Sequence, residues 1–203
     1  MTFSQQGIPL ISDDRSGSEL FEEFAACARL AAAEVHCVAS LAEAQALVRR
    51  LIAEIPVRRV LAAPCPLYAQ LQLDTLFLDE QIPVSRTAAE IAAHAPTADL
   101  GITGVEFGVA ETGSVLLLAT SAESRLASSL PPVHLALLRR SHVLAGMAEA
   151  IDAIAPTFDR GCLTFITGPS RTADIERVLT IGVHGPSRLV ILAVADTCVG
   201  GDE

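Results

Sequence analysis

Apolar positions along this chain alternate between helical spacing and short unbroken runs, and the alternation predicts its elements. After a lead-in over residues 1–17 with turn-forming residues and no period, Leu20, Phe21, Phe24, Ala25, Ala28 and Leu30 follow helical spacing, with Ser18 as the expected cap. Glu34 to Val38 predicts a strand. Ser40 with Glu43 three residues on matches a capping box and predicts a helix ending near Pro56. Arg58 to Ala63 predicts a strand, Ile82 to Val84 a short extended piece, Thr87 to His94 a helix capped by Thr87, and Ala98 to Thr103 another strand.

The next stretch is denser. Gly113 to Ala119 and Val133 to Leu138 are apolar runs of the buried-strand type, with Leu126 to Leu130 and Pro131-Pro132 between them. Their closeness suggests antiparallel or edge pairing within one sheet. Ala145 to Ile154 predicts a helix, ended by Pro156. Leu163 to Thr167 predicts a strand that stops at Gly168-Pro169. Ser170, Arg171 and Thr172 then open what is expected to be a helix with Asp174 and Glu176 in its first turn, and Leu189 to Val194 is a last strand. Two Gly-Pro-Ser-Arg turns, 168–171 and 185–188, thus border that expected helix. Strands alternating with helices predict an α/β fold, a mainly parallel central sheet flanked by helices with an N-terminal helical segment. The expected organisation is a flexible lead-in (1–17), a helical segment (18–56) and the α/β domain (57–203).

Composition narrows the function. The 203 residues are 51% hydrophobic, yet no stretch reaches the roughly 20 apolar residues a membrane helix needs. No basic head precedes an apolar stretch at the N-terminus, so a cytoplasmic location is expected. A net charge of −10 argues against nucleic acid, which demands a positive face. The absence of Trp, with a single Tyr, removes an aromatic platform for bases. Five cysteines (Cys27, Cys37, Cys65, Cys162, Cys198) are scattered without a Cys-x-x-Cys pair, so no metal or iron–sulfur spacing is present and core thiols are the plain expectation.

Three constellations carry candidate chemistry. A helix start at Gly168 to Thr172 would be an anion cradle, with unpartnered N–H groups, the hydroxyls of Ser170 and Thr172, and Arg171 as a bidentate grip; equally, Ser170 or Thr172 simply caps the helix beside a solvated Arg171. The glycine-rich loop from Gly101 through Thr103, Gly104, Glu106, Glu111, Thr112 and Gly113 to Ser114 holds two carboxylates and fits neither a P-loop nor a dinucleotide fingerprint. Its acids either exchange a proton or face water. His134, after Pro131-Pro132-Val133, and His184, beside the second Gly-Pro turn, are candidate bases, although a lone His is more often structural; His36, His94 and His142 are weaker.

Taken in order, Gly101-Ile-Thr-Gly, Ala110-Glu-Thr-Gly-Ser, Leu130-Pro-Pro-Val-His, Ile166-Thr-Gly-Pro-Ser-Arg-Thr-Ala-Asp-Ile-Glu and Gly182-Val-His-Gly-Pro resemble the motifs of LUD-domain proteins, the lactate utilization protein C (LutC) group. The resemblance covers about Val57 to the C-terminus. It implies a fold like the NagB/RpiA/CoA-transferase superfamily and a part in oxidising L-lactate to pyruvate beside an iron–sulfur subunit and a further cysteine-rich subunit. It leaves the cofactor unknown, and this chain lacks the cysteine clusters of an iron–sulfur member. The expected site is a strand-end pocket for a small anion, formed by loops 103–113, 131–134, 168–172 and 184–188. Glu111, His134 and His184 are its proton-handling candidates. Thr103, Gly104, Thr112, Gly113, Gly168, Ser170, Arg171, Thr172 and Asp174 are its ligand-binding candidates, and no metal is expected. Alternatives are a non-catalytic interaction module and a stand-alone CoA- or phosphosugar-type enzyme.

Overall fold

The computed structural model describes residues 16–156, 162–173, 179–181 and 185–198. Helix α1 (Gly17–Leu30) starts one residue before the expected Ser18 cap. Ser16 is the cap: its side chain accepts from the Glu19 N–H while the Glu19 carboxylate accepts from Ser16 N at 2.7 Å. Then follow β1 (Glu34–Val38), α2 (Leu41–Glu54), β2 (Val60–Ala62), α3 (Pro66–Gln70), α4 (Leu73–Asp79), β3 (Val84–Ser85), α5 (Ala88–His94) and β4 (Leu100–Gly104). Both Ser40 and Thr87 cap their helices as the spacing predicts. The chain continues through β5 (Phe107–Val109), β6 (Ser114–Ala119), α6 (Ala122–Ser129), β7 (Val133–Arg139), β8 (Val143–Leu144), α7 (Met147–Ile154), β9 (Cys162–Ile166), β10 (Arg171–Ala173), β11 (Leu179–Ile181) and β12 (Arg188–Val194).

Six strands form the central sheet in the order β1-β12-β7-β4-β2-β3, every pair parallel. The fold is α/β. Both sheet faces are covered, which explains why β7 and β12 are apolar without alternation. On one face Val60, Ile102, Leu135, Leu137 and Leu192 pack under Val48 and Leu51 of α2, Leu67 and Tyr68 of α3 and Phe77 of α4. On the other, Ala136, Leu138, Ile191 and Ala193 meet Phe24 and Ala28 of α1 and Val115 and Leu117 of β6. Leu61 and Ala63 pack there too, against Ile91 of α5 and Ala127 of α6. No helix among the described residues is long and apolar enough to cross a membrane.

Two expectations are corrected. The runs at 113–119 and 133–138 do not pair: β6 belongs to a second sheet, order β8-β5-β6-β9, antiparallel to β5 and β9, whereas β7 lies inside the parallel sheet. Helix α6, capped by Ser121, fills the interval and supplies the crossover that a parallel strand requires. Second, residues 171–173 are strand, paired antiparallel with 179–181 in the register Arg171↔Ile181, Thr172↔Thr180. β-branched Thr172, Thr180 and Ile181 suit a ladder better than a first helical turn. The helix expected from Thr172 onward is therefore absent at its start, and the two Gly-Pro-Ser-Arg turns flank strands instead.

Candidate functional site

Parallel order puts the strand starts together, and with them three of the motif turns. Pro132 precedes β7 and Ser187 precedes β12, adjacent strands in register from Val133↔Arg188. Ser187 donates to the Pro132 carbonyl from its backbone N (2.9 Å) and its hydroxyl (3.1 Å). In turn Ser170 N donates to the Pro186 carbonyl at 2.8 Å, and a Cβ on Gly185 would stand 3.1 Å from Ser170 Cβ. The two Gly-Pro-Ser-Arg turns thus touch each other and the Pro-Pro turn. They lie at the amino ends of the strands, whereas open parallel sheets bind ligands beyond the carboxyl ends.

Their polar groups are largely consumed within the fold. Arg171, expected to grip an anion, donates to the Ala31 carbonyl at the end of α1 at 3.0 Å. Gly168 takes φ +81° there, and a Cβ on it would fall 2.0 Å from the same carbonyl oxygen. Gly113, at φ +67°, backs onto the α1 backbone one turn earlier, 2.1 Å from Ala28 N. Between these glycines runs a chain of hydroxyls: Thr112 donates to Ser114 at 2.8 Å, and buried Ser114 meets Thr167 at 2.6 Å. With β10 in place of a helix start, no helical N-terminus stands at Ser170 to receive an anion.

Glu111 and His134 lie in separate surroundings. The exposed Glu111 carboxylate accepts from Met147 N at 3.1 Å, capping α7, whose own N-cap residue is Gly146 and has no side chain to do so. His134 is fully buried beside Gly101 and Leu189 on the neighbouring strands. Its Nε2 is hydrogen bonded to buried Thr103 Oγ1 at 2.9 Å, and its Nδ1 has no partner among the described residues. Burial pushes its pKa down to about 4, so it is neutral near pH 7. Asp174 and His184 lie outside the described residues, and Thr172 stands in β10 opposite Thr180.

A second polar cluster occupies the carboxyl ends. After β2 the chain enters α3 on one face of the sheet, and after β4 it passes through Val105 into the core of the other, so the crossovers diverge between these adjacent strands. Cys65, at the head of α3, lies against Gly104, whose missing Cβ would come within 2.7 Å of Cys65 Cβ. Burial raises the thiol's pKa, opposed by the Tyr68 and Gly104 backbone and by the charge of Arg86, while the charge of Glu106 adds to the rise. Glu106, half-buried, is raised by burial alone. Arg86 pairs with Asp74 and lies 4.8 Å over the ring of buried Tyr68, whose hydroxyl donates to Asp74 at 3.1 Å. Burial, then the Asp74 charge, pushes this phenol up. At the end of β7, half-buried Arg139 donates to Gln70 of α3 at 3.0 Å.

Sequence reasoning named Gly104 and Glu106 here and passed over Cys65, Gln70, Arg86 and Arg139. The available signal was Pro64-Cys65-Pro66 between a strand and a helix, which marks a turn at a strand's carboxyl end.

The model of the LUD domain matches residues 21–194. The chain belongs to the LUD-domain family. All five ordered motifs fall inside the match, and so do β1, α2 and all of α1 from Phe21 onward. Among similar proteins, lactate utilization protein C of Halalkalibacterium halodurans is 33% identical over 153 residues, covering 72% of this chain and 66% of that protein. The protein of the same name from Geobacillus kaustophilus is 31% identical over 169 residues, covering 76% and 70%. The chain thus spans about two thirds of the length of these relatives. A solved DUF162-family protein from Deinococcus radiodurans shares the fold with a TM-score of 0.63 and 22% identity, over 89% of this chain and 99% of that one.

Proposed function

We propose that this LUD-domain chain is a lactate utilization protein: a cytoplasmic subunit that contributes to oxidation of L-lactate to pyruvate and binds a small anion at a strand end. The observation that carries the reading is the family match from 21 to 194, which takes in every motif, together with relatives named lactate utilization protein C at 33% and 31% identity. Converting lactate to pyruvate releases two electrons and two protons. Cysteines scattered as Cys27, Cys37, Cys65, Cys162 and Cys198 lack cluster spacing, so the reading assigns electron acceptance to iron–sulfur and cysteine-rich partner subunits.

One observation favours a second reading, the non-catalytic module. Ser170 N, Ser187 N and Arg171 are bonded within the chain, and among the described residues β10 and β11 pair only with each other, leaving strand edges that a partner could join. Complementation tests the lactate reading. In a host deleted for its own lactate utilization protein C, the chain is expected to restore growth on L-lactate; folded, expressed chain without restored growth overturns it. Partner capture with unchanged growth in a variant that has lost anion binding would favour the module.

A further inference from the structure

We propose that the carboxyl-end rim of β2, β4 and β7, formed by Cys65, Gln70, Glu106 and Arg139, is a site for a small carboxylate ion, with Arg139 taking the carboxylate and Glu106 facing the remainder of the ligand. The proposal rests on the lactate reading only for the choice of probe.

Topology supplies the first argument. The crossovers after β2 and β4 lead to opposite faces of the sheet, and the carboxyl ends of strands where crossovers diverge are the place where open α/β sheets admit ligands. Gly104 keeps this rim narrow on one side, since a side chain there would strike Cys65.

Charge supplies the second. Arg139 is half-buried, and its side-chain partner is the neutral Gln70 oxygen; it forms no ion pair among the described residues. A guanidinium carries five N–H donors, so most remain for a bidentate carboxylate. Glu106 is half-buried with neither hydrogen bond nor ion pair for its carboxylate among the described residues. Leaving charges partly desolvated and uncompensated is unfavourable; a carboxylate bearing a hydroxyl compensates both, its carboxylate accepting from Arg139 and its hydroxyl donating to Glu106. Helix α3 joins the two ends: Cys65 precedes it and Gln70 closes it, separated by about 7 Å of helical rise.

The contrast with the amino-end turns sharpens the choice. There Ser170 N, Ser187 N and Arg171 already have carbonyl partners, so an anion would have to displace bonds the fold makes.

The test titrates L-lactate and pyruvate separately into the full chain, with amide chemical shifts recorded by NMR. Saturable shifts are expected at residues 64–70, 104–107 and 137–140. Arg139→Gln is expected to weaken binding at least tenfold, and Arg58→Gln, at the opposite end of the strands, to leave it unchanged. Binding of neither probe, shifts centred on 168–171 and 185–187, or undiminished affinity in folded Arg139→Gln overturns the proposal. If Arg139→Gln does not fold, the wild-type shift map and Arg139→Lys decide it, with weaker binding expected as the fork is lost. Restored growth on L-lactate with no binding sinks the site but leaves the lactate reading; binding at the rim without restored growth does the reverse.

Discussion

Arg171 and Ala31 are 140 residues apart in sequence and are joined by a 3.0 Å hydrogen bond from the guanidinium to the carbonyl. The contact ties the most conspicuous motif of the chain to the C-terminal end of α1, where a cation also suits the helix dipole. It makes the motif a joint between the second sheet and the N-terminal helix. Arg171→Ala is therefore expected to cost about 1 kcal/mol of stability. Arg171→Lys should recover part of it. Denaturant melts of the three proteins check this; an Arg171→Ala loss of growth on L-lactate with unchanged stability would instead return Arg171 to the anion site.

Gly168 and Gly113 make a sharper case. Each has a positive φ and each faces α1 backbone at about 2 Å from an added Cβ. Alanine at either position must bear left-handed strain and push α1 away, so a loss of about 3 kcal/mol or more is expected. Gly17 is the control, because nothing lies within 4 Å of its added Cβ and it sits in a helix. Gly17→Ala should be neutral or stabilising by up to about 1 kcal/mol. Equal effects at Gly17 and Gly168 in thermal melts would contradict the packing described.

Glu111 answers to a different readout. Its carboxylate caps α7 across 36 residues of sequence, so Glu111→Gln keeps an acceptor for Met147 N but loses the charge, and Glu111→Ala loses both. Expected costs are a few tenths of a kcal/mol for the first and about 1 for the second. Hydrogen exchange should quicken in residues 147–154 for Glu111→Ala. Intact α7 protection with abolished lactate-dependent growth would favour proton handling by Glu111 over capping.

Much of this fold is legible in the sequence, and particular residues show where legibility stops. The run Glu34 to Val38 and the caps Ser40 and Thr87 are local signals, and the structure keeps them unchanged. Acidic residues after Ser170-Arg171-Thr172 imitate a helix start, and only the pairing of 171–173 with 179–181 distinguishes strand from helix. Proximity in sequence between β6 and β7 likewise says nothing about which sheet each joins. For the site, Thr103 and His134 are individually unremarkable; the register Gly101↔His134 is what brings them together. Pro64-Cys65-Pro66 marks only a turn, and Arg139 lacks any pattern, because a rim assembled from three strand ends has no fixed spacing along the chain.

His134 gives the prediction with a pH signature. Its pKa is depressed to about 4 in the fold against an ordinary 6.5, because the ring is buried, with Thr103 its one partner among the described residues. The unfolded chain therefore binds a proton at this residue before the folded one does. Its contribution to stability is complete above pH 6.5 and is lost progressively as the pH falls toward 4, where the folded protein begins to take up the proton as well. The full span corresponds to about 3 kcal/mol. His134→Gln removes the titration while offering Thr103 a polar partner. Its stability at pH 7 should be lower than that of the native chain, through imperfect packing of a different shape. Between pH 6.5 and 4.5, however, the native chain should lose more stability than the variant, the carboxylates common to both cancelling in the comparison. Parallel pH profiles of unfolding free energy would mean that His134 is not held neutral in the fold, and the buried pair with Thr103 would lose its physical basis.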